Sequence, residues 1–298
     1  MTVVPTNPMV SILTPSFQQR RWLGDNLDSV ERQTYQRIEH VVMDGASTDG
    51  SVDLLQARSR NGLVWRSEPD QGQSHALNKA LEASNGEIIG WLNSDDAYYS
   101  VDVVQHAVNE FKSHPDVDIL YGHALLVNAD GLIIQTIWVP PFSSHLLRLH
   151  DFIIQPAVFI RRHCLVNGFV DETFDYAMDY ELWLRLALRH RFRRLDLILA
   201  IDRHHHARKS YTLKEVGRSD LERLQRLYGA RTNRIAVVAR KVVKVATRLS
   251  GVGLIAECCR EPFAFEGRVD STAGLLRRQL MVRRAAMPRG EDPEATRG

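Results

Sequence analysis

The chain has 298 residues, 44% hydrophobic and 25% charged, which suits one large soluble domain or a domain with an appendage. Its net charge of +2 gives no general case for nucleic-acid binding. No run approaches ~18 uninterrupted apolar residues, so no membrane span is expected.

Residues 10–125 alternate strand-like and helix-like segments. Val10 to Leu13 reads as a first strand, and Trp22 to Gln33 as a helix with Leu23, Leu27 and Val30 at helical spacing. A strand over 38–43, a helix over 51–58, a strand over 63–67 and a helix over 74–83 follow. Next come a strand over 88–92, a helix over 101–111 and a strand over 118–121. Such alternation predicts right-handed crossovers and an α/β, doubly wound, mostly parallel sheet. Beyond residue 125 the pattern becomes mixed. Segments 125–127 and 132–137 flank Asn128-Ala129-Asp130-Gly131, a hairpin signal. A strand over 157–160, a helix over 179–189 and a strand over 195–201 complete a domain spanning residues 1–210.

The remainder differs. From Arg223 to Ala256 there are eight Arg or Lys residues and no acid. Ile235, Val238, Val242, Val245 and Leu249 fall on one helical stripe, with Arg240, Lys241, Lys244 and Arg248 mainly opposite. A basic amphipathic extension over 211–286 can dock on the domain, touch a membrane surface or pair with a partner helix. Residues 287–298 read as a disordered tail. Cys164, Cys258 and Cys259 form no CxxC pair or disulfide ladder, as in a reducing compartment. Met1 to Pro8 is polar and has no secretion-signal pattern.

The chemistry concentrates where strands end. The apolar run Ile88 to Leu92 stops at Asn93-Ser94-Asp95-Asp96, and paired acids at a buried strand end are costly without a cation. A hard divalent ion shared with substrate phosphates suits them, although the same four residues also favour a turn. The first two strands end in Thr14-Pro15-Ser16-Phe17-Gln18 and in Asp44-Gly45-Ala46-Ser47-Thr48-Asp49-Gly50-Ser51. Both are small, hydroxyl-rich turns of the kind that cradle a nucleotide, or simply loops that cap helices. Glu68-Pro69-Asp70-Gln71-Gly72 precedes a helix carrying Asn78 and Lys79 near its positive end. Lys79 faces either a phosphate or solvent. Asp179 opens a later helix, where the dipole alone would favour it. On that helix Trp183 reads as core. In His204-His205-His206, three consecutive residues cannot all face one ion.

Taken in order, these segments resemble the family 2 inverting glycosyltransferases, which use nucleotide-diphosphate sugars on a GT-A fold. Tyr121-Gly122, Gln155-Pro156-Ala157, Met178-Asp179-Tyr180-Glu181, Arg203-His204-His205 and Lys209-Ser210 extend the likeness across residues 9–210. The resemblance implies Asp95 and Asp96 as ligands of Mg2+ or Mn2+ on the diphosphate, and Asp179 as the general base. It implies donor contacts from Thr14, Pro15, Phe17, Asp44, Asp70, Asn78, Asn93, Asp95 and His205, with Gln155 on the acceptor side.

The chain departs from the common pattern at Phe17, Gln18, Gly45, Asn93 and Met178. A second acid is frequent at the position of Gly45. These departures leave the donor nucleotide open, with UDP- or dTDP-linked sugars as the default. The implied acceptor is a hydroxyl, free or lipid-linked, in polysaccharide or glycolipid synthesis. The implied location is the cytoplasm, at the inner membrane face if the basic extension binds there. The competing readings are a nucleotidyltransferase, whose Gly-rich basic signature is missing after the first strand, and a non-catalytic sugar-nucleotide-binding protein.

Overall fold

The computed structural model describes residues 7–166, 168–208 and 214–229. The first half alternates as expected: β1 (Val10–Ser16), α1 (Arg20–Glu31), β2 (Ile38–Asp44), α2 (Ser51–Ala57), β3 (Leu63–Ser67), α3 (Gln73–Glu82) and β4 (Ile88–Trp91). The second half holds β5 (Ala97–Tyr98), α4 (Val103–Ser113), β6 (Ile119–Asn128), β7 (Ile133–Ile137), α5 (Ser144–Leu149), β8 (Val158–Arg161), α6 (Met178–Leu186), β9 (Phe192–His204) and α7 (Lys214–Tyr228). Among the described residues these strands form one sheet in the order β3-β2-β1-β4-β8-β6-β9-β5, with β7 paired to β6. Strands β1 to β4 are mutually parallel where they pair. Strand β8 then runs antiparallel to both β4 and β6, β9 runs parallel to β6, and β5 lies antiparallel on β9. The sheet is thus mostly parallel in its first half and mixed in its second.

Burial of β1 at all seven positions explains its unbroken run, because helices cover both faces of a parallel sheet. One apolar layer joins α3 to α6 around the fully buried Trp183, which is core as its sequence context suggested. The other holds α4 through Val104, Val108 and Phe111. Register aligns the site: Ser16 lies beside Asp44, Asp44 beside Ser67, and Leu13 beside Trp91. The carboxyl ends of the first strands therefore reach one edge, where ligands of open α/β sheets bind. At Gly90 a Cβ would lie 2.6 Å from the Tyr98 hydroxyl, so glycine leaves room for that side chain against β4.

The basic stripe over 235–249, Lys209-Ser210, Cys258, Cys259 and the tail lie outside the described residues. Helix α7 packs on α6, with Leu224 fully buried and Tyr228 donating to Glu181 at 2.7 Å. No helix among the described residues is long and apolar enough to cross a membrane.

Thr14 donates to the Leu92 carbonyl at 2.8 Å, so it accepts from His40 Nε2 at 2.9 Å and fixes that tautomer. Among the described residues the buried Nδ1 of His40 has no hydrogen-bond partner, and burial, followed by the Arg60 charge, lowers its pKa to about 3. Burial likewise takes His123 down to about 4. The unfolded chain binds protons at these histidines below their ordinary value of 6.5, and the folded chain does not. Their stabilising contribution is thus present above pH 6.5 and is lost as pH falls, by up to about 1.4 kcal/mol per unit for each histidine. Denaturant unfolding between pH 7 and pH 5 should show this slope, and His40→Gln should flatten it. An unchanged slope in His40→Gln would exclude His40 as a contributor.

Candidate active site

A cavity of about 860 Å³ opens over the strand ends, within the usual range for ligand pockets. One wall comes from the β1 and β2 turns. Pro15, Ser16, Phe17 and Gly45 line it, and Asp70 closes it from the β3 loop. Gln18 and Ala46 in these turns adopt left-handed φ values of 54° and 61°, strain of a kind that gathers at functional sites. The Gln18 N–H donates to Ser47 Oγ at 2.8 Å, tying the two turns together. Phe17 is 60% exposed, an aromatic face open at the rim.

The floor is the turn after β4. Asn93, Ser94 and Asp95 line the cavity. Asp95 Oδ2 accepts from His205 Nε2 at 2.8 Å, and the His205 ring packs against Trp22, tilted by 31°, with centroids 3.9 Å apart. Asp202 and Arg208 reach the same floor and pair at 2.7 Å. Burial raises the pKa of Asp202, and neighbouring Asp95 adds to the shift. Asp96 is pushed well up, first by burial, then by the charges of Asp95 and Asp202. Asp95 and Asp202, two repelling carboxylates that both line the cavity, fit a hard divalent cation, with the charge of Asp96 close behind them. Arg208 is the positive group facing all three.

The lining also includes His150, Asp151, Gln155, Tyr176 and Asp179. Asp179 lies in the first turn of α6. Asp220 of α7 anchors that turn by accepting the Tyr176 and Ala177 N–H groups at 2.9 and 3.1 Å. Leu221 of α7 also lines the cavity. Asp220→Ala should remove about 2–3 kcal/mol of stability, because charged acceptors of buried amides contribute about that much. Denaturant unfolding would check it, and an unchanged midpoint would mean water replaces the carboxylate.

Of the residues expected at the site, Pro15, Phe17, Asp70, Asn93, Asp95 and Asp179 line the cavity, as does Gln155. The others are placed elsewhere. Thr14 is buried against His40 and Leu92. Asp44 lies beneath the loops, accepting from the Ser47 amide, the Ser47 hydroxyl and Ser67 Oγ at 2.8, 2.6 and 2.7 Å. Asn78 fastens the 170–172 segment through the Val170 backbone and Glu172. Lys79 lies in the last turn of α3, not near its positive end, and pairs with Glu68. Asp96 turns inward and accepts the Arg203 N–H at 3.0 Å. His205 bonds Asp95 and does not line the cavity. Asn93 has its amide committed to Gln73, Trp91, Gln155 and Asp96. Asp202 and Arg208 were not anticipated, although an acid ending the apolar run 195–201 is the same signal that marked Asp95.

Residues 11–160 match the model of the glycosyl transferase family 2, half of the chain. The chain belongs to that family. This glycosyltransferase is 33% identical over 193 residues to an uncharacterized glycosyltransferase of Mycobacterium tuberculosis, covering 63% of the chain and 71% of the relative. It is 30% identical over 196 residues to the chondroitin synthase of Pasteurella multocida, covering 64% of the chain but only 20% of that longer protein. Among solved structures, a mannosyltransferase from Pyrobaculum calidifontis, in complex with GDP-Man and Mn2+, superposes with a TM-score of 0.58. It covers 93% of this chain and 81% of its own at 17% identity, a likeness of fold. The glycosyltransferase therefore has the GT-A architecture.

Proposed function

We propose that this glycosyltransferase moves one sugar from a nucleotide diphosphate to an acceptor hydroxyl with inversion at the anomeric carbon, in polysaccharide or glycolipid assembly. The observation that carries the reading is that Asp95 and Asp179 line one cavity. Between them a sugar ring has its diphosphate on one side and its acceptor on the other. Asp179 takes the acceptor proton as that oxygen attacks the anomeric carbon, and the anomeric C–O bond breaks with its electron pair leaving on the diphosphate. Attack opposite the leaving group inverts the centre.

Mg2+ or Mn2+ would be held by Asp95 with Asp202 nearby, and would offset the charge of the leaving diphosphate. His205 orients Asp95, and Arg208 supplies a further positive charge at the floor. Phe17 offers a stacking face for the base, beside the Asp70 carboxylate. The default donors remain UDP- or dTDP-linked sugars. The chondroitin synthase and the Mn2+ complex of GDP-Man among the similar proteins support a metal-dependent nucleotide-sugar reaction.

Titrating a panel of nucleotide sugars with and without Mn2+, and following donor consumption, tests this. One donor should be bound tightly and turned over only with the metal present. Metal-independent binding of every donor, without turnover, would refute it. The acceptor is proposed to be lipid-linked at the cytoplasmic membrane face, reached through the basic stripe of residues 235–249. Removing residues 230–298 should abolish binding to anionic vesicles while sparing activity on a soluble acceptor. Undiminished vesicle binding would exclude that stripe as the contact.

A further inference from the structure

We propose that this glycosyltransferase carries a structural zinc site, built from Asp118, His163, Cys164 and His190, at the end of the sheet opposite the active site. One ligating atom from each of the four lies within 4.8 Å of all the others. Asp118 already joins the two imidazoles: His163 Nε2 is 3.0 Å from its Oδ1, and His190 Nδ1 is 3.3 Å from its Oδ2. A tetrahedral zinc with bonds of about 2.0–2.3 Å needs donors about 3.3–3.6 Å apart. The 3.3 Å contact is at that spacing, the 3.0 Å contact on the other carboxylate oxygen is slightly shorter, and no pair in the set of four is beyond 4.8 Å, so small side-chain adjustments close it.

The chain holds the donors in place before any ion arrives. Asp118 immediately precedes β6, His163 and Cys164 sit in the helical turn after β8, and His190 lies just before β9. Backbone bonds join the three segments. The Asp118 N–H donates to the Arg191 carbonyl at 2.9 Å, and its carbonyl accepts the Arg161 N–H at 2.9 Å. Asp118 Oδ2 also accepts the Arg191 N–H at 3.1 Å, an outer-shell bond that fixes the carboxylate. The guanidinium groups of Arg161 and Arg191 make their hydrogen bonds outside the set, although the Arg161 charge is felt by Asp118 and Cys164. Arg161 donates to the Val117 and Phe111 carbonyls, and Arg191 pairs with Asp116.

The donor set decides the metal. Thiolate and imidazole suit zinc and disfavour Mg2+ or Mn2+, which seek oxygen. Cys164 is buried, whereas the His163 side chain is 53% exposed and offers a route in for the ion. Binding displaces the thiol proton to solvent as the sulfur–zinc bond forms. None of the four residues lines the active-site cavity, which lies past the other end of β4: Ile88 at its start pairs with Arg161. The ion would therefore join the starts of β6 and β9 to the end of β8 without touching substrate.

The test uses the full-length protein, stripped with chelator and reloaded with Zn2+ or Co2+. The expected result is one zinc per chain retained through gel filtration, a rise in Tm on zinc addition, and a thiolate-to-cobalt charge-transfer band. Cys164→Ser should lose the band, and His163→Ala with His190→Ala should weaken zinc binding by at least about tenfold and remove the Tm response. Asp95→Asn, and Cys258→Ser with Cys259→Ser, should keep both ion and band. No retained zinc in the wild type, a band that survives Cys164→Ser, or undiminished binding in the double histidine variant would each overturn the assignment.

Discussion

Asp179→Asn should lower kcat by about 10²–10⁴-fold, the usual worth of a positioned general base, while metal-dependent nucleotide binding stays intact. The substitution keeps the side-chain shape and leaves an oxygen to accept the Tyr180 N–H, which Oδ1 now does at 2.8 Å. The turn that presents it is held by Asp220 rather than by Asp179 itself. Folding should therefore survive, and only the capacity to take a proton is lost. Steady-state transfer assays paired with calorimetric nucleotide titration separate the outcomes. Normal turnover would remove Asp179 from the chemistry, and lost nucleotide affinity would reassign it to the donor side.

Asp95→Asn should act on the other half of the reaction, weakening Mn2+-dependent donor binding by at least about 100-fold. Even partners one step removed from a metal change its affinity by about 10–100-fold. The metal-free protein should behave differently. Removing this charge relieves its repulsion on Asp96 and Asp202, both of which Asp95 pushes up. The stability of metal-free Asp95→Asn should therefore equal or exceed that of the parent chain. Thermal melts with and without Mn2+ check the pair of effects. A variant that still gains stability from Mn2+ as the parent does would show that the ion sits elsewhere.

Elements long enough to show a period were legible in the sequence. The parallel strands, the helices between them and the Asn128 to Gly131 hairpin appear within a few residues of their expected bounds. Two elements were not. Strand β5 has two residues, Ala97 and Tyr98, and exists because β9 pairs with it. Helix α5 has six, too few for a periodic signal, with Ser143 accepting the Leu146 N–H as its cap. Strand β9 runs on to His204 because Arg203 is buried by pairing with Asp25 at 2.8 Å and the Asp95 carbonyl at 3.0 Å. Apolarity cannot announce a charged residue buried that way.

At the site, sequence located the turns but not the direction of each side chain. Asp95 and Asp96 are adjacent, yet one faces the cavity and the other the Arg203 backbone. The β1 and β2 turns line the cavity, whereas the Thr14 and Asp44 side chains brace the interior. Which residue of a turn points outward depends on backbone angles and cross-strand partners that composition does not encode.

The narrow gap at Gly45 bears on how donor preference can change. A Cβ there would sit 2.8 Å from Asp70 Oδ2 and 3.1 Å from the Phe17 ring, while Asp70 Oδ1 is tied to the Gly72 N–H at 2.8 Å. An aspartate grafted at position 45 alone would place two carboxylates in the space of one. Positions 17, 45 and 70 should therefore drift together between lineages, and efforts to re-engineer the nucleotide should vary them as a single set.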